Sequence, residues 1–149
     1  MSDLLVNLIA TLVKQNSTEM PDRVMVFDDD PDLLKVFQIV LKSKNFDVLG
    51  FHQCNNIIEQ VKNHSPNVII MDNWIPDTGG VKAIQQIKKD VLLKSIPVIF
   101  CSAHDSIQEL AAEAGADFFL KKPFEMDDLE EVISRAISVH AQKPVTELR

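Results

Sequence analysis

Four short apolar runs, each closed by a chemically capable side chain, constrain this sequence more than any other feature. Arg23-Val24-Met25-Val26-Phe27 leads into Asp28-Asp29-Asp30, and Asn67-Val68-Ile69-Ile70-Met71 into Asp72. Pro97-Val98-Ile99-Phe100-Cys101 leads into Ser102, and Asp117-Phe118-Phe119-Leu120 into Lys121-Lys122-Pro123. Near-continuous apolar runs of this length indicate strands buried on both faces, as in a parallel sheet covered by helices. A further run, about Asp47–Phe51, has Gly50 inside and polar ends, and reads as an edge strand. Helical periodicity fills the gaps. Asp30 can cap a helix with Pro31 at its first position, and Leu33, Leu34, Phe37, Val40 and Leu41 supply its apolar face as far as Asn45. Further helices are expected over about Asn55–Asn63, Gly80–Leu92, Ser106–Ala114 (stopped by Gly115) and Met126–His140. In the second of these, Val81, Ile84, Ile87 and Val91 share one stripe. Strands alternating with helices imply an α/β domain, a doubly wound five-stranded parallel sheet with helices on both faces.

In an open parallel sheet the carboxyl ends of the strands face one crevice. The acids at 28–30, Asp72, Ser102 and an ammonium from Lys121 or Lys122 should therefore meet. Carboxylates to hold a divalent cation, one acid to act as nucleophile and a cation to hold a phosphoryl oxygen together describe a phosphoryl-accepting site. Burying such a charge cluster is costly, so stability alone is a poor reason for it.

A length of 149 residues suits one domain with a sizeable core. The net charge of −7 argues against non-specific binding to nucleic acid or to anionic membrane. Cys54 and Cys101 lie far apart without metal spacing, which fits two reduced thiols in a cytoplasmic protein. The segment from Leu4 to Val13 is apolar but too short to span a bilayer, and no basic residue precedes it as in a signal peptide. Asp3, Asn7, Thr11 and Lys14 form one narrow polar stripe at helical spacing, opposite Leu4, Leu5, Leu8, Ile9, Leu12 and Val13. A helix of that kind is expected to bury its apolar face, against its own domain or a second copy. The organisation expected is an amphipathic helix and linker over 1–20, the α/β domain over 21–141 and a flexible tail over 142–149.

Four motifs, in order and each at a strand end, resemble those of the two-component response-regulator receiver domain, the flavodoxin-like phosphoacceptor module. They are Phe27-Asp28-Asp29-Asp30-Pro31; Met71-Asp72-Asn73-Trp74-Ile75-Pro76 with Gly80; Phe100-Cys101-Ser102-Ala103; and Gly115 through Phe124 with Lys121-Lys122-Pro123. The resemblance implies strand order 2-1-3-4-5. It makes Asp72 the phosphoacceptor and Asp28 and Asp29 the acid pair for Mg2+, Asp29 directly and Asp28 through water, with Asp72 and the Trp74 backbone carbonyl completing the protein ligands. It makes Lys122, rather than Lys121, the lysine for a phosphoryl oxygen, turned inward by a cis bond to Pro123. It makes Ser102 the switch hydroxyl and Phe119 the switch aromatic. Trp74 and His104 take the two positions that influence hydrolysis of the acyl phosphate.

The resemblance further implies a sensor histidine kinase or phosphotransfer protein as donor and a cytoplasmic location. Self-catalysed phosphorylation and dephosphorylation would be slow, without a further enzymatic activity. No effector segment follows the last helix, so the chain is expected to be a stand-alone receiver or a fragment of something larger. Output then lies in a partner contact, through the face built by the helix at Ser106–Ala114, the strand at Asp117–Leu120 and the helix at Met126–His140, with a homodimer through the N-terminal helix as a further option. Two rival readings are a degenerate receiver acting only as an interaction module and a haloacid-dehalogenase-type phosphatase. In the latter, Asp28-x-Asp30, Ser102, Lys122 and Asp127-Asp128 would carry the chemistry, but Asp72 is left without a role.

Overall fold

The computed structural model describes residues 2–16 and 20–141, with side chains for 2–12 and 20–140. The expected tail over 142–149 and part of the linker lie outside the described residues. The elements run α1 (Asp3–Asn16), β1 (Arg23–Phe27), α2 (Pro31–Ser43), β2 (Asp47–Phe51), α3 (Ile57–His64), β3 (Val68–Asp72), α4 (Gly80–Lys89), β4 (Val98–Ser102), α5 (Ile107–Ala114), β5 (Phe118–Lys121) and α6 (Met126–Ala141). All strand pairs are parallel, in the order β2-β1-β3-β4-β5. The expected doubly wound sheet is therefore present.

Strand side chains alternate between two cores. Met25, Phe27, Ile69, Met71, Val98 and Phe100 face α3, α4 and α5, where Ile57, Val61, Ile84, Ile87 and Ala111 meet them. Val24, Val26, Val68, Ile70, Ile99 and Cys101 face α2 and α6, against Leu34, Phe37, Leu41, Leu129, Ile133 and Ala136. Because β1, β3 and β4 bury both faces, their only polar side chains lie at their ends. The acids and the hydroxyl are thereby held at one pole of the molecule.

Two expectations need correction. β5 is not buried on both faces: as an edge strand it exposes Phe119 and Lys121 and buries only Leu120. α4 stops at Lys89 rather than near Leu92, because the Asp90 carboxylate accepts hydrogen bonds from the backbone N–H groups of Leu92 and Leu93 and turns the chain. Val91 consequently leaves the apolar stripe and is exposed, and Leu93 and Ile96 fill the core in its place. His64 and His140 are half-buried; His64 lies against the Phe51 ring, and His140 Nδ1 lies 2.9 Å from the Ser95 carbonyl. Ser2 and the described side chains of α1, as far as Leu12, are all exposed, so its own domain, one of the two places expected for its apolar face, does not cover them.

Candidate functional site

Local sequence explains how each side chain is placed. β1 ends where Asp28 N–H donates to the Phe51 carbonyl of β2, and Asp30 then caps α2 by accepting from the N–H groups of Asp32 and Leu33. Asp28 is thus caught between strand and helix and is buried, while Asp29 projects outward and is exposed. β3 ends at Asp72, and the chain returns so tightly that Gly80 N–H donates to Asn73 O at 3.0 Å. A Cβ on Gly80 would lie 2.1 Å from the Asp72 carbonyl oxygen, so a side chain there would displace the acid-bearing turn. Gly79 precedes it at φ +79°, a left-handed conformation suited to glycine. β5 delivers Lys122, whose N–H donates to the Ser102 carbonyl, and the Lys122–Pro123 peptide bond is cis.

Lys122 Nζ donates to Asp72 Oδ1 at 2.7 Å and to Asp28 Oδ2 at 2.9 Å. The second Asp72 oxygen, Oδ2, accepts from Trp74 N–H at 2.9 Å, and Asp28 Oδ1 accepts from Asp30 N–H at 2.9 Å. Both carboxylates are almost wholly buried. Burial pushes the Asp72 carboxyl above the usual carboxylate range; the hydrogen bond from Lys122 opposes that rise and the Asp28 charge adds to it. For Lys122, burial favours the neutral amine, but the hydrogen bonds and charges of Asp72 and Asp28 outweigh it and hold the ammonium well above the usual lysine range. The physical sense is simple: one ammonium cannot neutralise two buried carboxylates.

An oxygen of Asp29 completes a cluster in which ligand atoms of Asp28, Asp29 and Asp72 lie within 4.8 Å of one another. Hard carboxylate donors so close together suit a small divalent cation, and Asp29 makes no ion pair among the described residues. Ser102 is buried, and its Oγ accepts from His104 N–H at 3.1 Å. His104 is exposed, with Nδ1 accepting from Ser106 N–H at 3.0 Å, which leaves the proton of a neutral ring on Nε2. Trp74 is 75% exposed beside Asp72, and Phe119 is 45% exposed on β5.

Of the residues singled out from sequence, Asp28, Asp29, Asp72 and Lys122 come together, with Ser102 at the adjoining strand end. Phe119 is not part of that cluster and is exposed on β5. Strand alternation leaves Lys121 exposed, 3.3 Å from the Asp105 carboxylate, while Lys122 turns in. The phosphatase arrangement does not form. Asp30 is occupied in capping α2, and Asp128 Oδ2 accepts from Glu125 N–H at the start of α6. Burial lifts both thiols, Cys54 and Cys101, to about 12, so neither is ionised near neutrality.

Comparison with known proteins then decides the family. The model of the response regulator receiver domain matches residues 24–134. The chain belongs to the response-regulator receiver family. It is 26% identical over 131 residues to the transcriptional regulatory protein TrcR of Mycobacterium tuberculosis, covering 85% of this chain and 50% of that protein. It is 31% identical over 127 residues to hybrid signal transduction histidine kinase C of Dictyostelium discoideum, covering 80% of this chain and 10% of that one. The chain thus spans about half the length of a bacterial relative and a tenth of the kinase. Two solved structures share the fold. A putative response regulator from Chloroflexus aurantiacus has TM-score 0.75 at 22% identity, covering 79% of this chain and 98% of that one. The receiver domain of sensor histidine kinase PA1611 from Pseudomonas aeruginosa, with a magnesium ion coordinated in its active-site cleft, has TM-score 0.73 at 22% identity over the same shares. A receiver domain is a module of two-component signal transduction. Among the described residues, no helix is long and apolar enough to cross a membrane.

Proposed function

We propose that Asp72 is the phosphoacceptor. The observation that carries this is the buried Asp28–Lys122–Asp72 arrangement at the carboxyl ends of the strands. An Asp72 carboxylate oxygen attacks the phosphorus of a phosphohistidine on a histidine kinase or phosphotransfer protein. The P–N bond breaks, an O–P bond forms, and the imidazole leaves with both electrons of the broken bond, taking a proton from solvent. The product is an acyl phosphate on Asp72. Transfer of this kind depends on in-line positioning and charge neutralisation more than on acid–base help.

Lys122 already contacts Asp72 Oδ1 and is positioned to hold an oxygen of the incoming group. Asp28, Asp29 and Asp72, with the Trp74 backbone carbonyl, are the residues to hold Mg2+, which when bound supplies positive charge to offset the phosphoryl oxygens. Ser102 Oγ, now accepting from His104 N–H, turns to donate to the phosphoryl group. Phe119, exposed in the present conformer, then moves inward beside α5. The readout is a population shift on the α5–β5–α6 face.

The module acts in the cytoplasm and has no catalysis beyond slow gain and loss of its own phosphoryl group. Trp74 shields the acyl phosphate from water, and His104 orients a water beside it. Dephosphorylation followed by intact mass tests this: Trp74→Ala should lose the group faster than wild type, and slower loss would overturn the shielding role. The acceptor assignment is tested by phosphoryl uptake from a small donor in wild type and Asp72→Asn.

A further inference from the structure

We infer that Thr78 is a positioning residue, whose hydroxyl clamps the loop between β3 and α4 and so holds the Trp74 carbonyl toward the acid cluster. The inference rests on the reading of Asp28, Asp29 and Asp72 as a magnesium site, and goes beyond it by assigning a residue outside the ligand set.

The loop runs from Asn73 to Gly79. Its ends are fixed by backbone: Asn73 N–H donates to the Cys101 carbonyl, and Gly80 N–H returns to the Asn73 carbonyl at 3.0 Å. Its inner side is fixed by Ile75, buried in the core that includes Cys54, Ile57 and Ile84. The apex, Pro76 to Thr78, is held differently. Among the described residues, its only hydrogen bond to another part of the domain runs from Thr78 Oγ1 to the Cys54 carbonyl at 3.1 Å. Asp77 sits in that apex at φ +70°, a left-handed conformation uncommon for residues with side chains, so the shape benefits from being held.

Backbone pairing leaves one carbonyl of this stretch for a ligand. The Asn73 carbonyl accepts from Gly80 N–H, the Ile75 carbonyl from Gly79 N–H and the Pro76 carbonyl from Thr78 N–H. Among the described residues nothing donates to the Trp74 carbonyl, a hard oxygen of the kind magnesium takes. The Trp74 N–H donates to Asp72 Oδ2 at 2.9 Å and keeps this residue beside the acid.

The clamp joins the two loops that flank the acid pair. β1 lies between β2 and β3 in the sheet, so the loops after β2 and β3 stand on either side of the strand leading into Asp28 and Asp29. Cys54 belongs to the first loop and Thr78 to the second, 24 residues apart in sequence. Cys54 is buried and Thr78 half-buried, which makes water a poor substitute for the hydroxyl. Without it the apex gains conformers in which the Trp74 carbonyl is turned from the cluster. A ligand that binds only the competent fraction then loses apparent affinity in proportion to that fraction.

Magnesium titration of the full chain tests this, followed by the fluorescence of Trp74, the single tryptophan, and checked by calorimetry. Thr78→Val keeps the shape and removes the hydroxyl; its dissociation constant for magnesium should rise about three- to tenfold, the span of one net hydrogen bond. Thr78→Ala should act in the same direction. Thr78→Ser restores the donor and should return to within about twofold of wild type. Urea unfolding separates a merely structural role, which would lower the midpoint of Thr78→Val and leave the magnesium affinity of the folded protein unmoved. Equal affinity in wild type, Thr78→Val and Thr78→Ala would overturn the clamp and leave the metal site standing. Failure of Thr78→Ser to recover would overturn the assignment to the hydroxyl. A wild type that binds no magnesium would overturn the metal site and the clamp with it.

Discussion

At the carboxyl ends of β1 and β3 the chain buries two carboxylates beside one ammonium, whereas the described side chains of α1 leave six large apolar groups in water. Each region departs from the ordinary rule of burial, in opposite directions. The first keeps charge where only paired and hydrogen-bonded charge is tolerated; the second keeps hydrophobic surface where only a partner would justify it. The remainder of the domain follows the rule closely, with two apolar cores on either side of the sheet. The first departure marks the place where, on the function proposed above, a phosphoryl donor would meet the molecule.

The acid–lysine pole breaks most severely by removal of Lys122, the cation both carboxylates share. Lys122→Ala leaves Asp28 and Asp72 buried without their shared partner and should cost about 3–5 kcal/mol of stability in urea denaturation at constant slope. A loss within experimental error would mean the carboxylates are solvated in solution, and the contrast with α1 would disappear. Gly80→Ala tests the backbone that carries the acid. Its Cβ meets the Asp72 carbonyl, so a loss of about 2–3 kcal/mol is expected.

Asp72→Asn sharpens the comparison because its sign is reversed. Asp72 has its carboxyl raised mainly by burial, so the native state favours the protonated form. That contribution is complete below the ordinary carboxylate range and is lost as pH rises through the higher folded value. At neutral pH, in a chelating buffer, Asp72→Asn should therefore unfold at higher urea than wild type, and the gain should vanish on acidification. The smallest effect belongs to the far pole. Leu92→Ala, at an exposed corner past α4, should change stability by under about 0.5 kcal/mol, while Leu93→Ala beside it costs about 3 kcal/mol.

Much of this was legible in the sequence because the inner strands are unambiguous. Val24 to Phe27, Val68 to Met71 and Val98 to Cys101 are apolar without interruption, which fixed both their burial and the place where polar side chains could first appear. Asp30-Pro31 announced the start of α2 by capping chemistry alone. The errors arose where a side chain decides locally. Asp90 ends α4 by taking two backbone N–H groups, a competition with the helix that apolar periodicity does not register. β5 has the composition of an inner strand, yet only sheet order determines that one of its faces meets solvent. The choice between Lys121 and Lys122 rested on resemblance; Lys121 still belongs to β5 and alternates to its exposed side, which sheet order alone determines. The apolar face of α1 was evident from spacing, but no spacing says that the domain leaves it uncovered.

The most direct measurement is the intact mass of the chain after incubation with magnesium and acetyl phosphate, for wild type and Asp72→Asn. Gain of one phosphoryl group by wild type and none by Asp72→Asn is the predicted result. A folded wild-type protein that gains nothing from either acetyl phosphate or a phosphorylated histidine donor, or an Asp72→Asn chain that gains the same mass, would contradict the assignment of Asp72 as the acceptor.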